Sequence, residues 1–314
     1  MLQKMVSHNI FNIFMHVGYP TPAFDPRLSG IVPEENYGIS VSPKIVQEYV
    51  KLLRSVDSRL KLWAWFGTYS TLGTGDSSGH ALAKVDLSTA YNRSVIIENI
   101  VKVASWGFYG VQDDTEDVIQ VTNLSQRYQD QTNFWNEEQI ALNQVDVKLA
   151  VFKYFGPPSL WAVKEYVPQL SVDYVIAVGD SRQSQEIYSV YGPIEEIWKN
   201  EIATGLSVAS SPVIVHLAAY NSLFSFKTRL TCLSEIPNSF VGVSIYEYSM
   251  ITDSDWVAWD NYLSSIGYEP EPDPEPKPEP EPSGDTRFLY WSLLVALGIL
   301  LIVFFASSGM KRND

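Results

Sequence analysis

Short apolar segments alternate along residues 9–267 with longer segments in which apolar residues recur at helical spacing. In 42–56, for example, Ile45, Tyr49 and Leu52 follow the three-to-four-residue spacing of an amphipathic helix. The short apolar runs are typical of strands that are buried on both faces. The predicted helices are 42–56, 88–105 and a segment that ends at 143, and the predicted strands are 12–19, 60–68, the acidic segment within 106–117, 147–154, 174–178, 213–219 and 241–248.

Strands and helices therefore alternate, without long antiparallel hairpins. Parallel neighbouring strands need crossover connections, and these are right-handed. Seven such strands indicate an α/β fold, a TIM-type (β/α)8 barrel with one strand missing from the pattern. We expect the missing strand to be the first, supplied by a segment before residue 9. The barrel domain is predicted for 9–267, after an N-terminal tail of residues 1–8.

The C-terminal end has the pattern of a stalk followed by a membrane anchor. Proline at every second position and acidic residues between the prolines predict an extended linker at 268–287. The segment 288–308 carries no charge, and at about 1.5 Å per residue a helix there spans about 30 Å. We therefore predict a single-pass transmembrane helix that contacts the lipid bilayer. Lys311 and Arg312 favour a cytoplasmic tail at 309–314 and an extracytoplasmic barrel domain.

Composition narrows the classes of partner. The chain of 314 residues has a net charge of -14 and no basic patch, so no nucleic acid is expected as a partner. Aromatic residues make up 13% of the chain, and their faces suit sugar rings, although core packing uses many of them. The single Cys232 excludes an internal disulfide and is predicted to be buried. The four histidines lack ligand spacing and no phosphate-binding loop occurs, so neither a metal nor a cofactor is predicted.

The most informative segment is 106–117, which reads W-G-F-Y-G-V-Q-D-D-T-E-D. If this segment is a strand, its side chains alternate, so that Gln112, Asp114 and Glu116 share one face and Asp113 takes the other. Acids that are clustered at the end of a buried strand repel one another and resist ionisation, which holds a carboxyl group protonated as a general acid. The alternative is a solvated acidic loop or a helix N-terminus, which favours negative charge.

Further candidate residues lie where the predicted strands end, because active sites of such barrels form at the carboxyl ends of the strands. Carboxylates, amides and tyrosines dominate there. This combination suits glycoside hydrolysis, in which a carboxylic acid protonates the leaving oxygen and aromatic rings support the sugar. It suits metal-dependent hydrolysis poorly. Besides the acidic strand, the candidates for substrate binding are Tyr154, Asp180, Tyr246 and Glu247.

The order of these motifs resembles that of family 18 glycoside hydrolases, the chitinase-type barrels. The third strand of that family typically reads K-V-L-L-S-I-G-G, and 61–68 reads K-L-W-A-W-F-G-T. The fourth strand of the family carries D-G-x-D-x-D-x-E, and 109–116 reads Y-G-V-Q-D-D-T-E. The last strand often reads G-V-M-x-W, and 242–246 reads G-V-S-I-Y. Tyr109 and Gln112 therefore stand where the family has aspartates.

The resemblance implies a role for each matching residue. Glu116 would be the general acid, and Asp114 would orient a substrate 2-acetamido group whose carbonyl oxygen acts as the nucleophile. Gln112 would hydrogen-bond Asp114 without adding charge, so tuning of the acid would fall to Asp113, to Asp117 or to burial. Tyr246, in place of the family's tryptophan, would form the floor beneath the sugar, and Asp180 would add a polar contact. The alternative is that Tyr246 and Gln112 only pack the barrel.

Three functional hypotheses follow from this pattern. The first is a membrane-anchored, surface-exposed glycosidase that cleaves an external or envelope polysaccharide. The second is a glycan-binding barrel without catalysis, motivated by the two replaced aspartates. The third is a structural envelope protein, motivated by the linker and the membrane segment alone.

Overall fold

Parallel strands alternate with helices through most of the chain, as this computed structural model shows. The strands are β1 (Asn12–Gly18), β2 (Lys61–Tyr69), β3 (Ala83–Lys84), β4 (Gly110–Glu116), β5 (Lys148–Tyr154), β6 (Tyr174–Val178), β7 (Val213–Ala218) and β8 (Gly242–Tyr246). The helices are α1 (Leu2–Ser7), α2 (Pro43–Val56), α3 (Ala90–Ala104), α4 (Leu124–Asn143), α5 (Leu160–Tyr166), α6 (Ile194–Val208), α7 (Phe226–Glu235) and α8 (Asp253–Ser265).

The chain divides into two units, Met1–Pro270 and Glu271–Asp314. The predicted linker beyond residue 268 and the predicted membrane helix at 288–308 lie outside the described residues. Among the residues that are described, no helix combines the length and the apolar character needed to cross a bilayer. The structure describes residues 1–18, 27, 41–69, 83–84, 86–116, 124–155, 160–179, 193–219, 224–237, 239–246 and 250–268.

Seven strands form one parallel path in the order β1-β2-β4-β5-β6-β7-β8, and the two-residue β3 pairs with the end of β2. Strands that are consecutive along this path are joined by helices, which is the wall of a TIM-type barrel. The predicted α/β architecture is thereby confirmed. Within the described part of the chain the path ends at β1 and β8, and no ladder joins these two strands. Helix α1 and a turn precede β1, and the described residues contain no eighth long strand.

Within the predicted N-terminal tail of residues 1–8, Leu2–Ser7 form helix α1. Lys4 Nζ lies 2.7 Å from Asp253 Oδ1, and His8 Nδ1 lies 2.8 Å from Asp260 Oδ1, both on α8. Trp259 Nε1 donates a hydrogen bond to the His8 carbonyl at 2.8 Å. A six-residue helix has little stability of its own, so these contacts with α8 stabilise it.

Alternation of the side chains gives the sheet two different faces. Toward the helices, Phe66 and Val111 are fully buried in the main apolar core. On the interior face Trp63, Ala150 and Ile176 form a second apolar cluster. This cluster fills the interior at the level where β4 begins, because Trp63 is paired in register with Gly110, the first residue of β4. Residues later in β4 that alternate with Gly110 therefore lie above a packed apolar floor.

Candidate active site

The carboxyl half of β4 carries a buried carboxylate on the interior face. Trp65 on β2 donates a hydrogen bond from Nε1 to Asp114 Oδ2 at 3.1 Å. Asp114 is only 6% exposed, and its partner in the ladder is Gly67, which has no side chain. The indole thus approaches the carboxylate from the neighbouring strand and fixes its orientation.

Gln112 and two histidines are further polar side chains of the sheet interior. Gln112 is 8% exposed and is paired in register with Trp65. The His16 ring meets the Trp65 ring edge-on at a centroid distance of 5.0 Å, and burial lowers the pKa of His16, which favours its uncharged form. His216 Nδ1 lies 3.4 Å from Ser244 Oγ on β8. Asp114 therefore has no second carboxylate directly before it on its own face of β4, where the resembling family has one.

Three further predicted residues end strands at the same edge of the sheet. Glu116 is the last residue of β4, Tyr154 the last of β5 and Tyr246 the last of β8. Because all the strands are parallel, their carboxyl ends lie on one side of the sheet, so the fold brings these three positions to one rim with Asp114. Asp180 and Glu247, which were also predicted to bind substrate, lie outside the described residues.

Asp113 faces the helices and not the interior. Its Oδ1 accepts hydrogen bonds from Thr115 N at 2.9 Å, from the Thr115 hydroxyl and from Trp135 Nε1 on α4 at 2.9 Å. The side chain is fully buried, and burial raises the pKa of Asp113 to about 6, against the opposing effect of the hydrogen bonds from Thr115 and Trp135. Its predicted contact with a substrate is therefore replaced by a contact with α4.

Two residues of this site were missed by the sequence reasoning. Trp65 could have been found from the sequence, because side chains alternate along W-A-W and Trp63 and Trp65 therefore share one face. Gln112 and Asp114 lie on the same face of the sheet. Glu138 on α4 is fully buried, and burial together with the charge of Asp113 raises its pKa well above the usual range. Nothing in the local pattern marks Glu138, because its neighbour Glu137 has the same chemistry and is half-exposed.

Comparison with known proteins gives matches at the level of structure. No family model and no curated protein matches the chain. A class V chitinase from Pseudomonas fluorescens Pf-5 superimposes with a TM-score of 0.55 at 15% identity, over 83% of this chain and 94% of that one. The C-terminal domain of a putative chitinase from Desulfitobacterium hafniense gives a TM-score of 0.56 at 10% identity, over the same shares of the two chains.

A third solved structure is itself assigned to family 18 by name. This chitinase from Flavobacterium johnsoniae has a TM-score of 0.50 at 14% identity, over 84% of this chain and 91% of its own. Identities of this size reveal a shared fold and leave activity open. The agreement in fold follows the order of strand motifs that suggested the resemblance. The chain thus has the TIM-type fold of the family 18 chitinases, in a divergent form.

Proposed function

We propose that this protein processes an external or envelope polysaccharide that contains N-acetylated sugars, with Glu116 as the general acid. The observation that carries the proposal is the hydrogen bond from Trp65 Nε1 to Asp114 Oδ2, two residues before Glu116 at the carboxyl end of β4. A buried carboxylate that is oriented by a neighbouring strand is suited to hold one polar group of a sugar.

In the proposed reaction Glu116 protonates the glycosidic oxygen as the leaving sugar departs. Asp114 accepts a hydrogen bond from the 2-acetamido N–H, so that the acetamido oxygen attacks the anomeric carbon. Water then opens the resulting ring intermediate, and Glu116 takes back a proton from that water. Gln112, two residues before Asp114 on the same face of β4, is an amide and adds no negative charge next to it.

The test is Glu116→Gln in the full chain, assayed with N-acetylated chito-oligosaccharides for release of reducing ends. The amide keeps the size of the side chain and cannot donate an acidic proton, so turnover is expected to fall by about 10²- to 10⁴-fold. Glu48→Gln is the matched control, because Glu48 is an exposed glutamate on α2. Retained turnover in the Glu116→Gln protein would exclude Glu116 as the acid.

A second candidate function, glycan binding without hydrolysis, is favoured by Gln112. An amide stands here, 8% exposed, where the resembling family has an aspartate. Tyr109 replaces the other aspartate, and its ring lies 4.2 Å from Lys61 Nζ in a cation–π contact. This function predicts equal affinity of the wild-type protein and Glu116→Gln for the same oligosaccharides, with no product from either. Release of reducing ends by the wild-type protein would exclude it.

We also propose that the protein is anchored in a membrane, with the barrel on the extracytoplasmic side. The support is the uncharged segment 288–308 and the proline-rich linker before it. The full chain is expected to stay in the membrane fraction after an alkaline carbonate wash, and protease added to intact cells is expected to cut the linker. Recovery in the soluble fraction would contradict the anchor, and a linker that resists protease until the cells are broken would contradict the orientation.

A further inference from the structure

Two buried carboxyl groups belong to β4 and to α4, and they are near enough for the charge of Asp113 to act on Glu138. Asp113 and Glu138 are both fully buried. In register beside Asp113 stand Phe66 on β2 and Val151 on β5, which are fully buried apolar residues. Two acidic groups are thus enclosed in a layer that is otherwise apolar at this level of the sheet, where an isolated charge is strongly disfavoured.

The hydrogen bonds of this pair are distributed unevenly. The three donors that reach Asp113, two from Thr115 and one from Trp135, bind Oδ1. Among the described residues, Asp113 Oδ2 and both carboxyl oxygens of Glu138 have no hydrogen-bond partner. Two ionised carboxylates with three unpartnered oxygens are too costly in such surroundings, so the pair must hold at least one proton.

The neighbouring charged groups are engaged elsewhere. Lys153 on β5 donates to Gln131 Oε1 at 3.2 Å, and Arg93 on α3 forms an ion pair with Glu137 at 2.8 Å. Asp130, the remaining acid on α4, accepts from Gln126 at 3.0 Å. None of these groups is among the causes that shift the pKa of Asp113 or Glu138, which are burial, the bonds to Thr115 and Trp135, and the Asp113 charge acting on Glu138.

Burial favours the protonated form of both carboxyl groups. It raises the pKa of Asp113 to about 6, and it raises the pKa of Glu138 well above its usual range with help from the Asp113 charge. Both shifts favour the protonated carboxyl group, so the pair takes up protons at a higher pH than two exposed carboxyl groups would. The Asp113 step lies near pH 6.

The pair is connected to the proposed site through Thr115. The Thr115 N–H donates to Asp113 Oδ1, and the Thr115 carbonyl accepts from Gln131 Nε2 at 2.6 Å. The peptide groups on both sides of this residue are thus held from the helix side of the strand. Thr115 stands between Asp114 and Glu116, so any change in these bonds acts on the backbone that carries both proposed functional residues.

We propose that Asp113 and Glu138 are a proton-holding pair that positions the functional end of β4 from the helix side, so that the geometry around Asp114 changes with pH. The proposal deepens the proposed function, on which its relevance to glycan processing rests. Asp113 acts here as a positioning residue, since it touches Thr115 and Trp135 and no substrate. An ionised Asp113 accepts its three hydrogen bonds more strongly than a protonated one, and the end of β4 is held more firmly.

Two tryptophan indoles report on the two faces of β4. Trp135 Nε1 donates to Asp113 on the helix face, and Trp65 Nε1 donates to Asp114 on the interior face. The experiment is a pH titration of the full chain labelled with ¹⁵N in its tryptophan indoles. The nine indole signals are few enough to assign with Trp135→Phe and Trp65→Phe. Both signals are expected to move with a shared midpoint near pH 6.

The variants separate the roles of the two acids. Asp113→Asn keeps the acceptor oxygen and cannot ionise, so the inflection near pH 6 should disappear from both indole signals. Glu138→Gln fixes that side chain in an uncharged form and should leave both inflections in place. Glu48→Gln on α2 is the control and should match the wild-type protein. The pH profile of glycan release or binding should lose an inflection near pH 6 in Asp113→Asn alone.

Any other result contradicts a specific part of the proposal. If the Trp135 signal does not move near pH 6, or if its inflection persists in Asp113→Asn, Asp113 does not titrate as proposed. An inflection of the Trp65 signal that persists in Asp113→Asn belongs to His16, whose ring contacts Trp65. If the Trp135 signal moves and the Trp65 signal does not, the pair does not position the interior face. If the wild-type protein neither binds nor cleaves glycans, the proposed function fails while the indole titration still decides the pair.

Discussion

Trp65 makes a specific hydrogen bond to a proposed functional side chain. Its indole N–H donates to Asp114 Oδ2 at 3.1 Å, and its ring meets His16 at 5.0 Å. A neutral donor next to a buried carboxylate stabilises the ionised form without adding a countercharge that would compete with the substrate. The orientation of Asp114 therefore depends on an indole from the adjacent strand.

Trp65→Phe tests this dependence, because phenylalanine keeps an aromatic ring and removes the N–H donor. A hydrogen bond to a charged group contributes about 1.5–3 kcal/mol, so kcat/KM for chito-oligosaccharides, or the affinity if there is no turnover, should fall roughly 10- to 100-fold. Trp63→Phe is the matched control, since Trp63 Nε1 donates to Asn12 Oδ1 at 2.9 Å on another part of the interior. Equal losses in both variants would remove the special role of Trp65.

The sequence predicts which face of the sheet each β4 side chain occupies, but it does not predict which residues that side chain contacts. The sequence predicts that Asp113 and Asp114 face opposite ways, and their contacts with Trp135 and Trp65 follow that alternation. Cys232 was predicted to be buried, which is confirmed. The role predicted for Asp113 in substrate binding depended on what lies behind the strand. That is set by Trp135, 22 residues away, which local pattern does not show.

At the scale of elements, a glycine at the start of β4 leaves room for a tryptophan ring of β2. A side chain at Gly110 would place a Cβ 2.3 Å from two ring carbons of Trp63. The Trp63 ring is buried, hydrogen-bonded to Asn12 and in edge contact with Tyr109 at 5.3 Å, so it has little freedom to move aside. The first residue of β4 is therefore restricted to glycine by packing against the neighbouring strand.

Gly110→Ala is expected to lower the free energy of unfolding by about 1–3 kcal/mol, because one added methyl group overpacks the interior cluster. Gly242→Ala on β8 is the matched control, since the nearest atom to its added Cβ is Ile214 Cγ1 at 3.8 Å, an ordinary contact. Urea unfolding followed by tryptophan fluorescence measures both variants. A loss no greater than that of Gly242→Ala would mean that the Trp63 ring can shift.

Most long elements were predictable and two short ones were not. The strand predicted at 174–178 coincides with β6, and those predicted at 12–19 and 213–219 end within one residue of β1 and β7. Strands that are buried on both faces are continuous apolar runs, so their first and last residues can be predicted from the sequence. The two-residue β3 is too short to have a period, and α1 depends on contacts with α8 that only the folded chain brings together.

For the whole molecule, the order of elements predicts the TIM-type architecture, and the number of strands is set by tertiary pairing. Seven apolar runs separated by helices were sufficient to predict a parallel path, since crossover connections are almost always right-handed. Structures named as chitinases superimpose on 83% to 84% of this chain with TM-scores of 0.50 to 0.56. How the path closes between β1 and β8 depends on pairing that no local pattern contains, and the described residues hold no ladder there.

The pH dependence of stability is also a property of the whole molecule, and several groups contribute with different signs. Burial raises the pKa of Asp113 to about 6 and the pKa of Glu138 well above its usual range, so the folded chain binds more protons than the unfolded chain above about pH 4. Their contribution to stability is therefore complete in acid and is lost as pH rises through the folded pKa values. Burial lowers the pKa of His16, which has the opposite effect below about pH 6.5.

The double variant Asp113→Asn/Glu138→Gln isolates the contribution of the two acids, because His16 and all other groups are common to both proteins. The amides keep the acceptor for Thr115 and Trp135, so the two proteins should have similar unfolding free energies near pH 4. Between pH 4 and pH 7 the wild-type protein should lose stability relative to the variant, on the order of 3 kcal/mol from Asp113 alone, because burial raises its pKa from the ordinary value to about 6. The raised pKa of Glu138 adds a loss of the same sign. Urea unfolding at each pH measures the difference, and Glu48→Gln should remain parallel to the wild-type protein. If the unfolding free energies of the double variant and the wild-type protein change equally with pH, the two carboxyl groups are ionised in the folded chain. Their oxygens would then accept hydrogen bonds from bound water.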